Sequence, residues 1–229
     1  MTTVKRGSVI KGSSHKYLDA IKNNTLAPSH PRHHGVKMQA HHVLSEEGIR
    51  LSGLGKELET FGYDINTLDN LVFIPSTLKG ACHLGVQPHR GNHTDEFDDD
   101  DAHPVTYHKY VSRKISELAS CLRKECPGGD ASKAKRVKNE MDKKGGDILS
   151  RIAKAPSTMK LTKVAQHFGQ GNKVGCGGVD NVGTHRGQPC PCERNHQEGK
   201  EAAAMSHGQK SEGIKFPKPV PFYKLTMGK

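Results

Sequence analysis

Between residues 37 and 126 the apolar positions fall into short runs with readable periods. "KMQAHHVL", 37–44, predicts a short strand or the end of one. Ser45 follows as a helix cap, and Ile49 or Leu51, Leu54, Leu58 and Phe61 recur behind it at helical spacing. Gly48, Gly53 and Gly55 weaken that helix. "YDINTLDN" is turn-rich, and "LVFIP", 71–75, is an apolar run closed by Pro75, which predicts a second strand. Residues 76–106 read as irregular. Then Tyr107, Val111, Ile115, Leu118 and Leu122 step by threes and fours, the pattern of an amphipathic helix. "CPGGD", 126–130, ends it and marks the predicted domain boundary. Beyond lie a basic, broken helical stretch, "ASKAKRVKNEMDKKGGDILSRIAKA", a Gly-rich polar segment over 169–213, and the Pro-spaced, extended "FPKPVPFYKL".

These patterns divide the chain into a partly disordered, loop-rich leader (1–36), a compact unit (37–126) and a basic, Gly-rich C-terminal region (127–229). Hydrophobic residues make up 33% and aromatics 5%, with no Trp, too few for one core running through all 229 residues. No apolar run is long enough to span a bilayer, and the N-terminal residues lack the apolar segment of a signal peptide. The expectation is a protein without a membrane partner, cytoplasmic or exported by a signal-independent system.

The net charge of +11 is unevenly spread. Residues 51–128 carry 8 basic and 12 acidic side chains, whereas residues 129–229 carry 19 and 9. A field of that sign favours a polyanion, and nucleic acid is the expected partner. Aromatics in the basic stretch 131–164 are too few for a stacking platform, so sequence-specific recognition is not expected. The acidic run 95–101 reads as a solvated surface.

Fifteen histidines, eleven of them before residue 109, point to chemistry. On a strand, neighbouring side chains face opposite ways, so His41 and His42 are divided between two faces. Phosphodiester hydrolysis needs a divalent metal at the scissile phosphate and, beside it, a base that takes a proton from water. Neutral imidazole serves both roles, and an adjacent pair at a strand end supplies one of each. A metal needs further ligands. His89 and His93 in "HRGNH" are four apart, on one face of a helical turn, and His103 and His108 are alternates.

"QAHHVLSEEG", "FGYDINTLDNLVFIPS", "HRGNH" and "HPVTYHKYVSRKISEL", in this order, resemble the AHH nucleases, a branch of the HNH/endonuclease VII superfamily. Many members are toxin modules of bacterial polymorphic toxins and type VI secretion effectors. The resemblance implies an α+β fold with a small ββα-metal, treble-clef-like core, flanking helices and a loosely structured C-terminal part. It implies His41 as metal ligand, His42 as general base, and His89 and His93 as downstream ligands. Asn70 matches an asparagine that pins the loop between strand and helix. An immunity protein is the implied partner. The chain departs from the pattern at "TDEFDDDDA", 94–102, which separates "HRGNH" from "HP", so the choice among His89, His93, His103 and His108 stays open. Arg90 is a candidate phosphate contact.

Cys176, Cys190, Cys192 and His196 are a candidate structural zinc set, although only one residue separates Cys190 from Cys192. The expected function is a metal-dependent, sequence-non-specific endonuclease acting on DNA, with RNA as the other possible substrate and zinc, nickel or magnesium as the ion. The alternative is a non-catalytic, basic nucleic-acid-binding protein with structural zinc.

Overall fold

The computed structural model describes residues 26–89, 104–124, 131–154, 159–162, 164–169, 172–200 and 213–228. Both predicted strands are present. β1 (Met38–His42) pairs antiparallel with β2 (Leu71–Pro75), from Met38 opposite Pro75 to His42 opposite Leu71. All five residues of β2 are buried, as expected for an unbroken apolar run covered on both faces. The architecture is α+β, a two-stranded sheet wrapped by helices.

Ser45 caps the next helix as its position predicts, its Oγ accepting the Gly48 amide at 3.1 Å. The helical pattern that follows is not one helix but two, α1 (Glu46–Ser52) and α2 (Gly55–Thr60). Gly53 stands between them with φ 71°, a left-handed cap that glycine adopts without strain. Ile49, Leu54 and Leu58 go into the core, and Leu51 stays 43% exposed. Gly48 has a packing reason: a Cβ there would stand 2.4 Å from Val111 Cγ1, so α1 crosses the later helix α4 (Pro104–Ser116) nearly backbone to side chain.

The helix predicted from Tyr107 onward is present but interrupted. α4 ends at Ser116 and α5 (Ala119–Lys124) resumes after one turn, with Leu118 buried in the break. Between β2 and α4 lies a helix the periodicity did not show, α3 (Leu78–Leu84), capped by Thr77 Oγ1 on the Gly80 amide at 3.1 Å. Every residue of α3 is buried. A helix enclosed on all sides has no polar face, and so no period to detect.

The basic stretch is likewise different from its prediction. α6 (Ala131–Lys154) runs unbroken through Gly145 and Gly146. Val137, Met141, Ile148 and Ile152 form its buried stripe and join the core around Ile49, Phe73, Val111 and Ile115. That burial stabilises by roughly 25 cal/mol per Å² of apolar surface and outweighs two poor helix formers. Lys138 on α6 reaches Asp69 beside β2 at 2.6 Å, an exposed pair worth little. Residues 213–228 then lie across α3 without regular structure. The Tyr223 amide donates to Leu84 O at 2.9 Å, and Ile214 and Leu225 complete the core. Among the described residues, no helix is long and apolar enough to cross a membrane.

Two of the helical glycines, Gly48 and Gly146, give opposite expectations. Gly48→Ala forces Val111 aside and should cost about 1–3 kcal/mol. Gly146 has nothing within 4 Å of its would-be Cβ, so Gly146→Ala should gain up to about 1 kcal/mol. Urea unfolding of both variants measures the contrast.

Candidate active site

The alternation of β1 sends Gln39 and His41 to one face and His42 to the other. His41 is buried, and His89 meets it there, with His41 Nδ1 3.2 Å from His89 Nε2. His89 does not sit on a helical turn, as the four-residue spacing to His93 predicts. It follows the left-handed end of α3 at Gly85 in a non-helical segment. Four hydrogen bonds, from His89 and Gln87, hold that segment. The His89 amide donates to Pro75 O at 2.8 Å. Gln87, buried, donates to Ile152 O at 2.9 Å and Met159 O at 3.0 Å and accepts from the Leu161 amide at 2.8 Å. The end of α6 therefore fixes the approach of His89 to the sheet.

The hydrogen bonds around the pair assign the ring protons. Tyr107 on α4 donates its hydroxyl proton to Val43 O at 2.6 Å. Its oxygen therefore accepts at His41 Nε2, 2.9 Å away, and the His41 proton is on Nε2. His89 Nδ1 faces Gln39 Oε1 at 3.2 Å, an acceptor, so the His89 proton is on Nδ1. What remains on each ring is an acceptor nitrogen, and these two face each other. Burial pushes His89 down to about 4, so its ring is neutral at neutral pH. Burial also raises the Tyr107 phenol, which keeps its proton. Two nitrogens each about 2.1 Å from one metal ion stand about 3.0–3.4 Å apart. The spacing, the tautomers and the acceptors behind each ring all fit a shared divalent cation.

His42, on the other face, is half-buried, with Nε2 3.1 Å from Asn66 Oδ1. Asn66 accepts, so the proton is on Nε2 and Nδ1 is the basic nitrogen. Burial lowers the His42 pKa, against the Asn66 bond and the Glu46 and Asp64 charges, which raise it.

Asn70 fastens the segment just after the histidines. Its Oδ1 accepts the Leu44 amide at 2.7 Å, and its Nδ2 donates to Leu44 O at 3.0 Å and Ile65 O at 2.9 Å. Its backbone carbonyl accepts the Val43 amide at 2.9 Å. One side chain joins the end of β1, the turn at 65 and the start of β2.

His108, the last alternate ligand, is elsewhere. It packs at the α1–α4 crossing, where its Nδ1 and the Ser45 hydroxyl are hydrogen-bonded at 2.8 Å. Arg90, His93, His103 and the acidic run lie outside the described residues. Gln39, Asn66 and Tyr107 are site residues that the sequence reading did not single out. Tyr107 read as one more apolar step of a helix, and only its contacts with His41 Nε2 and Val43 O at the end of β1 reveal the work of its hydroxyl. In the C-terminal region, Cys176, Cys190 and His196 come together, and their fourth close neighbour is Cys82 of α3 in place of Cys192. Cys192 lies just beside them, its Sγ 3.3 Å from that of Cys190.

Residues 22–141, just over half of the chain, match the model of AHH, a nuclease family of the HNH/ENDO VII superfamily with conserved AHH. Comparison with curated proteins and with solved structures returned no match.

Asn70→Ala removes three hydrogen bonds from buried backbone groups, and a cost on the order of 3 kcal/mol is expected. Asn70→Asp keeps the acceptor, loses both donations and should fall between. Denaturant unfolding of the three proteins measures the order.

Proposed function

Because the chain belongs to the AHH nuclease family of the HNH/ENDO VII superfamily, whose substrate is nucleic acid, we propose that it is a metal-dependent, sequence-non-specific endonuclease of DNA. The observation that carries this reading is the pair of acceptor nitrogens, His41 Nδ1 and His89 Nε2, 3.2 Å apart and backed by Tyr107 and Gln39. His41 and His89 hold the ion, with the further ligand expected from His93 or His103. An imidazole donor set suits zinc or nickel, and magnesium serves by keeping its waters. When bound, the metal supplies charge stabilisation to the scissile phosphate and the departing 3′ oxygen.

The remaining work belongs to the chain. His42 Nδ1 takes the proton from the attacking water, while Asn66 fixes the ring by holding Nε2–H. Tyr107 and Gln39 are positioning residues that keep the ligating nitrogens unprotonated. Asn70 holds the backbone at 43–44, so that the two imidazoles keep their division between faces. Arg90 is assigned to a phosphate oxygen. The catalytic groups fall within residues 37–126, and α6 supports them through Gln87. The excess of cations after residue 128 supports non-specific attraction of the polyanion. Toxin action against bacteria, with a cognate immunity protein, rests on the motif resemblance alone.

Plasmid digestion by purified full-length protein tests the enzyme. His42→Ala should cut about 10² to 10⁴ times more slowly at unchanged thermal stability. His41→Ala should lose cutting together with binding of the catalytic ion. Cutting by His42→Ala at the wild-type rate sinks the base assignment. Absence of cutting by the wild type with any of the three ions favours a nucleic-acid-binding module instead. Growth arrest on expression in a bacterial cell, absent for His42→Ala, tests the toxin role.

Tyr107→Phe removes the oxygen that receives His41 Nε2–H. Half-maximal cutting should then need about 10–100 times more metal, with the rate at saturating metal largely kept. An unchanged metal requirement would remove Tyr107 from the site.

A further inference from the structure

A second group of metal-binding side chains is built where the C-terminal region meets α3. The ligand atoms of Cys82, Cys176, Cys190 and His196 all lie within 4.8 Å of one another, and all four residues are buried. The Cys176 and Cys190 sulfurs are 3.6 Å apart, and each is 3.3 Å from His196 Nε2. The ligands of a tetrahedral zinc ion, with Zn–S about 2.3 Å and Zn–N about 2.0–2.1 Å, stand about 3.5–3.8 Å apart. Three thiols and one imidazole are also the donor chemistry that zinc selects.

The surrounding backbone makes the group converge. Val174 bridges Pro189, and the Gly175 amide donates to Gln188 O at 3.2 Å, which lays residues 174–176 against 188–190 and sets Cys176 beside Cys190. Gly175 is required at the contact with α3, since a Cβ there would stand 2.8 Å from Cys190 Cβ and 3.0 Å from Cys82 Sγ. Glu193 and Arg194 take left-handed backbone conformations, φ 51° and 62°, and turn the chain so that His196 comes back to the cysteines. The Arg194 guanidinium fastens that turn to the carbonyls of His167, Asn172 and Val174. From the other side, α3 grips the same segment at two more points. Asp180 Oδ1 accepts the Leu78 amide at 2.6 Å, and His83 Nδ1 accepts the His196 amide at 3.1 Å.

Cys192 has a different relation to the group. Its Sγ is 3.5 Å from His196 Nδ1 and 3.6 Å from Nε2, and it stands outside the four whose ligand atoms all lie within 4.8 Å of one another. An imidazole that binds metal through Nε2 carries its proton on Nδ1, and a neighbouring acceptor orients it.

We propose that Cys82, Cys176, Cys190 and His196 bind one structural zinc ion, which fastens segment 172–200 to α3, and that Cys192 orients His196 instead of ligating. Four protein ligands close the coordination shell and leave no position for water or phosphate, so this ion is not the catalytic one. The two sites share no residue. The zinc ion takes the place that a larger core would fill: among the described residues, the second apolar cluster consists of Leu78, Ala81, Val164, Phe168 and the four buried cysteines.

The test uses the full-length protein and zinc alone, without reference to cutting. Wild type, dialysed against a weak chelator and analysed by atomic mass spectrometry, should retain one zinc per chain. His89→Ala and His42→Ala should retain it too. Cobalt(II) added to zinc-stripped wild type should give the visible and charge-transfer bands of a tetrahedral thiolate site. Cys82→Ser should lose the zinc, whereas Cys192→Ser should keep it at reduced affinity. If Cys82→Ser does not fold, alkylation of wild type followed by peptide mapping replaces it. Cys82, Cys176 and Cys190 should be protected only while zinc is bound, and half-buried Cys121 should react in both states. A wild type that retains no zinc and gives no cobalt–thiolate band overturns the site. So does protection of these cysteines that does not depend on zinc. Retention by Cys82→Ser with loss by Cys192→Ser overturns the ligand assignment.

Discussion

The hydrogen bonds of one asparagine side chain hold β1, the strand of the paired histidines, in place. Asn70 bonds both backbone groups of Leu44 and the carbonyl of Ile65 in the interior. A two-stranded sheet is marginal by itself. Here the strand that carries His41 and His42 is tied at its end to the turn before its partner, so register and facing are fixed together. A slip of one residue would exchange the faces of the two imidazoles and the neighbours each one meets.

α3 is the second organising element. It leaves β2 directly, is buried on every side, and delivers the chain to His89. Its surroundings come from distant parts of the sequence: Asp180 at its first residue, Cys176, Cys190 and His196 around Cys82, and Phe216 O on His83 Nε2 at 2.9 Å. Gln87, just beyond, is held by residues 152, 159 and 161. The C-terminal region is therefore not an appendage to the histidine site. It braces the helix that delivers the chain to His89.

The two histidine environments differ in kind. His41 and His89 are enclosed, with one nitrogen of each ring tied back to Tyr107 or Gln39 and the other turned to a common point. His42 is half-buried and bonds an amide oxygen, which fixes the ring without enclosing it. Adjacent positions on a strand acquire separate chemistries because the alternation of faces gives each a different set of neighbours. Charge follows a similar division. The acidic side chains concentrate before residue 129 and the basic ones after it, and the basic excess favours a polyanion.

The amino-acid sequence by itself determined the features set by near neighbours. Apolar runs and alternation located β1 and β2, the Ser45 cap and the stripe of α4, because each depends on side chains a few positions apart. The order of the histidine, asparagine and tyrosine motifs also carried the family. Tertiary structure decided the rest. Gly53 split one helical pattern into two helices, and a core formed by distant segments kept α6 continuous across two glycines. α3 had no period to read because it has no exposed face. His89 proved a neighbour of His41 without helical geometry, Tyr107 turned from an apolar step into a hydrogen-bond acceptor, and Cys82 found its companions in a segment far downstream. Each of these depends on contacts between residues remote in sequence, and local spacing carries no information about which of them will meet.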